Sequence, residues 1–557
     1  MKKTLKLLLM SLATLLISTG CASINAVTTT NSKTSTTSSS TSTSTSSESS
    51  SSSEIALGEY AGQEISLSML NKSSSITTVP STGDSKIVVI PVYFSDYTCE
   101  DLGLDETEVK ENIYNAFFGE SEDTGWESVS SFYTKSSYSQ LNLSGIVTDL
   151  CPIGQTLSEV AALTSSSSYY DPTYTILETA NEWFKKNYSS SVSEYDTDND
   201  GYIDGVWLVY LNPYLSSSSN LDYYIEKEGW SKSNLTRSNT SDYKDYSNIS
   251  DILWAYTYWD YDSTSSVTSP NAKAYCWASY SFLFEGGYEG VDAHTLIHET
   301  GHLLGLDDYY SYDYSDAPVG GLCMMDNNIG DHEAFSKYLL NWISPKIVKE
   351  SGEYTISKFT ETGDSLLIPA TLSTYNNSPY SEYLLIEYYT PDELNELDAT
   401  NAYASGAQMF TEAGVLIYHV DARLMKVEAT TSNNPHGGTS TNYSYSYTNT
   451  YENPTSTSYV TVASSNTESY SYTSGRLLTL ISSNHPDGTY TTSSRMSGKS
   501  SSKAYYYQDR DNYWANDSDL FVEGDSITSF NFNNGDSLDY SITITSISDD
   551  SVTITIA

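Results

Sequence analysis

His298-Glu299-Thr300-Gly301-His302, two histidines four residues apart with a glutamate between them, is the part of this 557-residue sequence best suited to chemistry. On a helix, positions i and i+4 share one face, so the two imidazoles can bind a single metal ion. Glu299 lies next to that stripe and can reach a water on the metal without taking a coordination position. Gly305, three past His302, can end the helix in a positive-φ turn and bring Asp308 back to the metal. Two imidazoles and one carboxylate leave a position open, which is the catalytic zinc arrangement.

The bare five-residue pattern arises by chance in about one in fifty chains of this length. Requiring Gly305 and Asp308 lowers that by a further factor of about two hundred, so the extended motif is specific. Leu296, Leu303 and Leu304 supply apolar support, and Asp292 stands where an N-cap is expected. Asp307 competes with Asp308 as third ligand. His294, one turn before His298, shares its face and either supports the ligands or packs at the edge of the site.

A second metal signal is Asp196-Thr197-Asp198-Asn199-Asp200-Gly201-Tyr202-Ile203-Asp204. Carboxylates at alternating positions with glycine sixth match the first part of an EF-hand loop, making Asp196, Asp198, Asp200, Tyr202 and Asp204 candidate ligands for a structural Ca2+. The twelfth position is Trp207 instead of glutamate, so the loop is not a complete EF-hand.

Elements must hold these groups in place. Lys86–Phe94 and Val206–Tyr210 are apolar runs that predict buried strands, and Tyr280–Phe284 predicts another. Asp105–Phe118, Ser128–Tyr138 and Asp171–Asn187 predict helices, with Leu141–Val147 extended. Asn212–Asp251, rich in Ser, Asn and Tyr, is expected to be a long surface insertion. This alternation predicts an α/β layer architecture up to Pro345. Beyond it, short alternating runs at Tyr383–Tyr388, Gly414–Val420, Leu477–Ser482 and Ser541–Ile556 predict an all-β, sandwich-like region.

With its glycine and aspartate, the motif resembles the metzincin zinc peptidases, and among them the immune inhibitor A family of secreted bacterial metalloproteases. The resemblance implies a zincin-like (metzincin-type) catalytic domain of α+β or α/β class with an active-site helix. It also implies Zn2+ on His298, His302 and Asp308, with Glu299 as general base in peptide hydrolysis by a zinc-activated water. Gly321-Leu322-Cys323-Met324-Met325-Asp326 fits the family's methionine turn, with Met325 the preferred floor residue and Met324 the alternative. Gly330–Lys337 through Pro345 looks like its closing helix, Gly414–Asp421 like a strand of its later part, and the acidic loop like a family calcium loop. Asn327 stands where several metzincins carry a tyrosine, so the oxyanion must be met by zinc itself or by another donor such as His332, Tyr309 or Tyr310.

The N-terminus reads as an address. Lys2, Lys3 and Lys6 precede an apolar run, Leu7–Ile17, too short to cross a bilayer of about 30 Å. Ile17-Ser18-Thr19-Gly20-Cys21 resembles a lipobox, which implies a signal peptide over 1–20 and lipid attachment at Cys21. Between Thr28 and Ser53 nearly every residue is Ser or Thr, a composition that stays a solvated tether with a span of roughly 25–30 Å. The expected division is 21–80 tether and N-terminal segment, 81–346 catalytic domain and 347–557 β-rich region. The expected location is a bacterial cell surface, lipid-anchored or secreted.

With 26 Lys+Arg against 71 Asp+Glu the formal charge is −45, which excludes phosphate-backbone binding to nucleic acid and electrostatic adhesion to anionic lipid. The expected partners are protein or peptide substrates, the expected membrane contact is the lipid anchor alone, and the expected state is monomeric. Cys99, Cys151, Cys276 and Cys323 allow either disulfides or buried thiols. The competing function is a non-catalytic adhesin or glycan-binding lipoprotein with a vestigial zinc site.

Overall fold

The computed structural model describes residues 78–557 except 122, 164–172, 216–217, 229–251, 261–262, 287–289, 313–316, 327, 402–407, 434–438, 448–457, 467–474 and 489–513. The signal peptide, Cys21, the tether and Asn327 lie outside the described residues. No helix among the described residues is long and apolar enough to cross a membrane.

The first layer is a sheet built from β1 (Gly83–Tyr93), β2 (Leu141–Val147), β3 (Gly205–Tyr210), β4 (Tyr256–Trp259) and β5 (Ala274–Ser279). Their order is β2-β1-β3-β5-β4, and Cys151–Pro152 extends the pairing at the end of β1. Four strands run parallel and β4 closes one edge antiparallel. Parallel strands need crossovers that cover the sheet faces, which is why β3 and β5 are buried at every position. Helix α1 (Glu106–Phe118) supplies one cover through Val109, Ile113, Ala116 and Phe117. Asp105 caps it by accepting from the Thr107 and Glu108 amides. Helices α2 (Val129–Ser136), capped by Ser128, and α3 (Thr173–Asn187) pack their apolar stripes in the same way.

One expectation fails here, and another is described only in part. Tyr280–Phe284 is a 3₁₀ helix, and the strand is the preceding Ala274–Ser279. Ladder pairing ends at Ser279, whose hydroxyl accepts from the Ser281 amide and turns the chain out of the sheet. The Asn212–Asp251 stretch is not a plain surface loop: Ser218–Glu228 forms helix α4. Tyr224 of α4 is fully buried against Tyr97, while Glu228 accepts from the Tyr97 hydroxyl at 2.6 Å. Its remainder, 229–251, lies outside the described residues. All four cysteines beyond Cys21 are free thiols.

Helices α5 (His294–Leu303) and α6 (Ala334–Leu339) follow. After Pro345 come β6 (Lys346–Ile347), β7 (Gly352–Ser357), β8 (Ser365–Pro369), β9 (Glu382–Tyr389), β10 (Gly414–Asp421), β11 (Leu424–Asn433), β12 (Thr439–Tyr447), β13 (Ser458–Thr461), β14 (Leu478–Ile481), β15 (Ser526–Ile527), β16 (Ile542–Ile547) and β17 (Ser551–Ile556). They form sheets ordered β14-β10-β9-β8-β6, β12-β11-β13 and β15-β16-β17-β7.

The first of these sheets is covered on both sides. Leu384, Ile386, Val415 and Ile417 share a core with Ile356, Ile542, Ile544 and Ile554 of the β15-β16-β17-β7 sheet. The alternate residues Tyr383, Leu385, Leu416 and Tyr418 join the same core as α5 and the β1–β5 sheet. Period-two alternation therefore divides one sheet between two cores. Polar ties reinforce the join: Glu387 accepts from the Ala334 amide at 2.8 Å, Asn395 from the Asp331 amide at 3.0 Å, and Asp398 from Asn328 Nδ2 at 2.6 Å.

Candidate metal centre

Helix α5 is held from several sides. Asp292 Oδ1 accepts from the His294 amide at 2.9 Å, although the N-cap position itself belongs to Ala293, one residue later than expected. Trp207 Nε1 on β3 donates to Thr300 Oγ1 at 3.1 Å, and the Tyr133 hydroxyl donates to the Ile297 carbonyl at 2.7 Å. The amides of Thr78 and Val79 donate to the Leu303 carbonyl at its far end. Buried hydrogen bonds of this kind fix the helix against sliding as well as separation.

The helix ends as the sequence expects. Gly305 has φ +97°, its amide donates to the His302 carbonyl, and the Leu306 amide donates to that of Gly301, both at 3.0 Å. That pair of bonds is a Schellman closure, which reverses the chain and returns Asp308 to the histidines. Asp308 Oδ1 lies 2.9 Å from His298 Nε2 and 3.2 Å from His302 Nε2. One ligand atom from each of the three residues falls within 4.8 Å of the others; Asp307 is not in the group.

The donor set suits zinc. Ligands about 2.0–2.1 Å from a tetrahedral ion stand about 3.3 Å apart, close to the spacings from Asp308 to both rings. His298 Nδ1 bonds the Met324 carbonyl and His302 Nδ1 the Leu306 carbonyl, each at 2.8 Å. A carbonyl fixes each Nδ1 as the protonated nitrogen and leaves the Nε2 lone pairs directed at the shared centre. The Tyr312 hydroxyl donates to Asp308 Oδ2, so the second carboxylate oxygen is also held.

Electrostatics point the same way. Burial opposes a charge on either ring, yet the Asp308 carboxylate outweighs it, pushing His302 up to about 10 and raising His298. Burial likewise opposes an ionised Asp308, and the two rings still hold it well below the carboxylate range. The Asp308 charge that favours a proton on these rings would equally favour a cation in the proton's place. Glu299 is buried beside them; burial raises its pKa against the pull of both histidines. Thr257 Oγ1 on β4 lies 2.9 Å from Glu299 Oε2.

Met324 and Met325 pack against α5. A Cβ at Gly301 would meet Met325 Sδ at 2.5 Å, so the two pack closer than any other residue type allows. Met325 thus supplies the side chain under the helix, and Met324 supplies the carbonyl that holds His298. His294 is partly buried outside the ligand group, its Nε2 bonding the Asn328 carbonyl at 2.9 Å. Burial, then repulsion from His298, lowers its pKa to about 3, so it packs as a neutral ring.

The suggested oxyanion donors separate. His332 is enclosed by Phe132, Tyr133 and Trp342, and neither ring nitrogen has a hydrogen-bond partner among the described residues. It lines a small pocket with Glu333, Glu387 and Tyr418 that none of the three ligand residues lines, and the charge of His298 still reaches it. The Tyr309 hydroxyl pairs with Ser336 Oγ at 3.0 Å and is buried. Tyr310 alone of the three stacks on a ligand, its ring 6.2 Å from that of His298.

In the acidic loop, Asp196, Asp198 and Asp204 come together with ligand oxygens within 4.8 Å. Gly201 at φ +90° and Asn199 at φ +60° make the turn that gathers them. Asp196 Oδ2 accepts from the Gly201 amide, while its buried Oδ1 has no hydrogen-bond partner among the described residues. Burial raises Asp204 to about 6 against bonds from the Thr197 amide and hydroxyl. Asp200 is outside the cluster and accepts from the Tyr202 amide at 2.8 Å. The Tyr202 ring lies under Lys273 Nζ, 4.5 Å from its centroid.

The sequence matches no protein-family model and no curated protein. Function therefore has to be argued from this geometry. Two of its members carried no sequence signal. Thr257 reaches Glu299 from 42 residues away through strand pairing, and Tyr312 reaches Asp308 through a turn whose course no motif encodes.

Proposed function

We propose that the chain is a zinc-dependent endopeptidase working outside the bacterial cytoplasm, anchored by lipid at Cys21 or secreted, of the immune inhibitor A kind that its motif resembles. The observation that carries this is the convergence of His298 Nε2, His302 Nε2 and Asp308 Oδ1 with Glu299 one residue from the first ligand. Zinc held there supplies Lewis-acid polarisation of the scissile carbonyl and acidification of a water. Glu299, not a ligand, takes the proton from the attacking water and delivers it to the leaving amine. Met324, Leu306 and Tyr312 keep the ligand orientation fixed while this happens.

The acidic loop supports a second proposal, a structural Ca2+ held by Asp196, Asp198 and Asp204, with the unpaired Asp196 Oδ1 as the strongest sign. Bound there, it would brace the loop that leads into β3, the strand whose Trp207 pins α5.

The deciding experiment is metal analysis of the purified protein together with chelator-sensitive cleavage of casein. Glu299→Gln is expected to keep zinc and lose at least 1000-fold in kcat; wild-type turnover by that variant would sink the mechanism. Protein that binds no zinc and cleaves nothing would favour the adhesin reading.

A further inference from the structure

Glu299 is useful as a base only if one carboxylate oxygen faces the metal side, and nothing within its own helix enforces that choice. Two groups from the neighbouring strands surround it. Thr257 on the edge strand β4 pairs across the ladder with Cys276 on β5, so both side chains leave the sheet on the face covered by α5. The flanking Tyr256 and Tyr258 leave on the opposite face, where Tyr256 bonds Thr173 and Tyr258 packs against Tyr174.

Thr257 Oγ1 stands 2.9 Å from Glu299 Oε2 and 3.0 Å from the Glu299 carbonyl oxygen. A hydroxyl has one proton to give, so it cannot satisfy both acceptors fully. Cys276 Sγ lies 3.4 Å from the same carbonyl and 3.2 Å from Thr257 Oγ1. Its burial keeps it a thiol, well above the usual pKa, and therefore a donor. The thiol can serve the carbonyl, which leaves the hydroxyl proton for the carboxylate. A charge-assisted O–H···O⁻ bond is the stronger use of that proton.

We propose that Thr257 is the positioning residue for Glu299: its hydroxyl clamps Oε2 and thereby leaves Oε1 to face the water. Resting on the peptidase reading above, the inference adds a residue that the zinc motif does not contain. Its action is on orientation alone. Thr257 does not touch a metal ligand, and removing its hydroxyl leaves the three ligand atoms and their carbonyl partners in place.

The test compares Thr257→Val, which keeps the shape and strand propensity, with Thr257→Ser, which keeps the hydroxyl. In Thr257→Val, kcat is expected to fall about 10- to 100-fold, the range in which a misdirected group costs a reaction, with KM within twofold. Zinc affinity, measured by competition with a chromophoric chelator, should be unchanged within threefold. Thr257→Ser should recover kcat to within about threefold of wild type. A crystal structure of metal-free Thr257→Val should show Glu299 Oε2 displaced or in more than one conformer.

Full kcat in Thr257→Val, failure of Thr257→Ser to restore it, zinc affinity falling in parallel with rate, or an unmoved Glu299 would each overturn the clamp. A wild-type protein without any peptidase activity would instead remove the functional reading, and the metal-free structure would still report on the contact. Should Thr257→Val not fold, Thr257→Ala with the same measurements decides between the outcomes.

Discussion

Gly301→Ala tests whether Met325 lies where the geometry puts it. In an unobstructed helix interior, replacing Gly by Ala stabilises by about 1 kcal/mol. Here the new Cβ would stand 2.5 Å from Met325 Sδ and 3.2 Å from both Met325 Cε and the Tyr133 hydroxyl. Ordinary contact between such atoms needs about 3.5–4.0 Å, so the intrusion exceeds 1 Å. Met325 and Tyr133 are fully buried, so the methionine end must shift within a packed interior. Overpacking of this sort costs about 1–3 kcal/mol, which leaves a net loss of about 0–2 kcal/mol after the helix gain. Met325→Ala alone should cost about 2–5 kcal/mol by opening a cavity. In that background only the Tyr133 hydroxyl, 3.2 Å from the new Cβ, still crowds the site, so adding Gly301→Ala should become neutral or stabilising by up to about 1 kcal/mol. The sign reversal is the diagnostic, read as a double-mutant cycle by denaturant unfolding with zinc content measured alongside. A stabilising Gly301→Ala in both backgrounds would show that Met325 does not floor the helix.

Tyr312→Phe removes the donor that holds Asp308 Oδ2. Zinc affinity should weaken about 10- to 100-fold, read by chelator competition, and an unchanged affinity would count against the hydroxyl's role. Asp196→Asn should abolish any rise in thermal midpoint that millimolar calcium gives the wild type, while Asp200→Asn, outside the cluster, should leave most of it. Burial, with Glu333 beside it, pushes Glu387 up to about 8. Its folded pKa exceeds the unfolded value near 4.5, so its contribution to stability is complete below about 4.5 and is lost as pH rises through about 8. Glu387→Gln should flatten unfolding free energy over that window and exceed wild type above it; a variant that keeps the full slope would refute the assignment.

Much of the site was legible because its information is local. The spacing of His298 and His302 fixes a shared face by helix geometry, and Gly305 fixes the turn because only glycine enters φ +97° without strain. Strands β1 and β3 and helices α1–α3 were legible for the same reason, each carrying its own period and caps. Tyr280–Phe284 misled because aromatic residues suit strands, and only the end of pairing at Ser279 decides that the chain turns there. Tyr224 was hidden in a polar stretch whose burial depends on Tyr97, 127 residues earlier in the chain.

The sequence by itself determined the helix that carries the two histidines, its closing turn, the acidic loop, and a net charge of −45. Those follow from residue type and spacing within a few turns of chain. Only the tertiary structure decided that Asp308 and not Asp307 meets the two rings, that Met325 lies under Gly301, and that Thr257 holds Glu299. It also decided that β9 and β10 are buried on both faces, serving two cores at once. These depend on which distant segments the packed sheets bring together, and packing is a property of the whole chain that no local spacing carries.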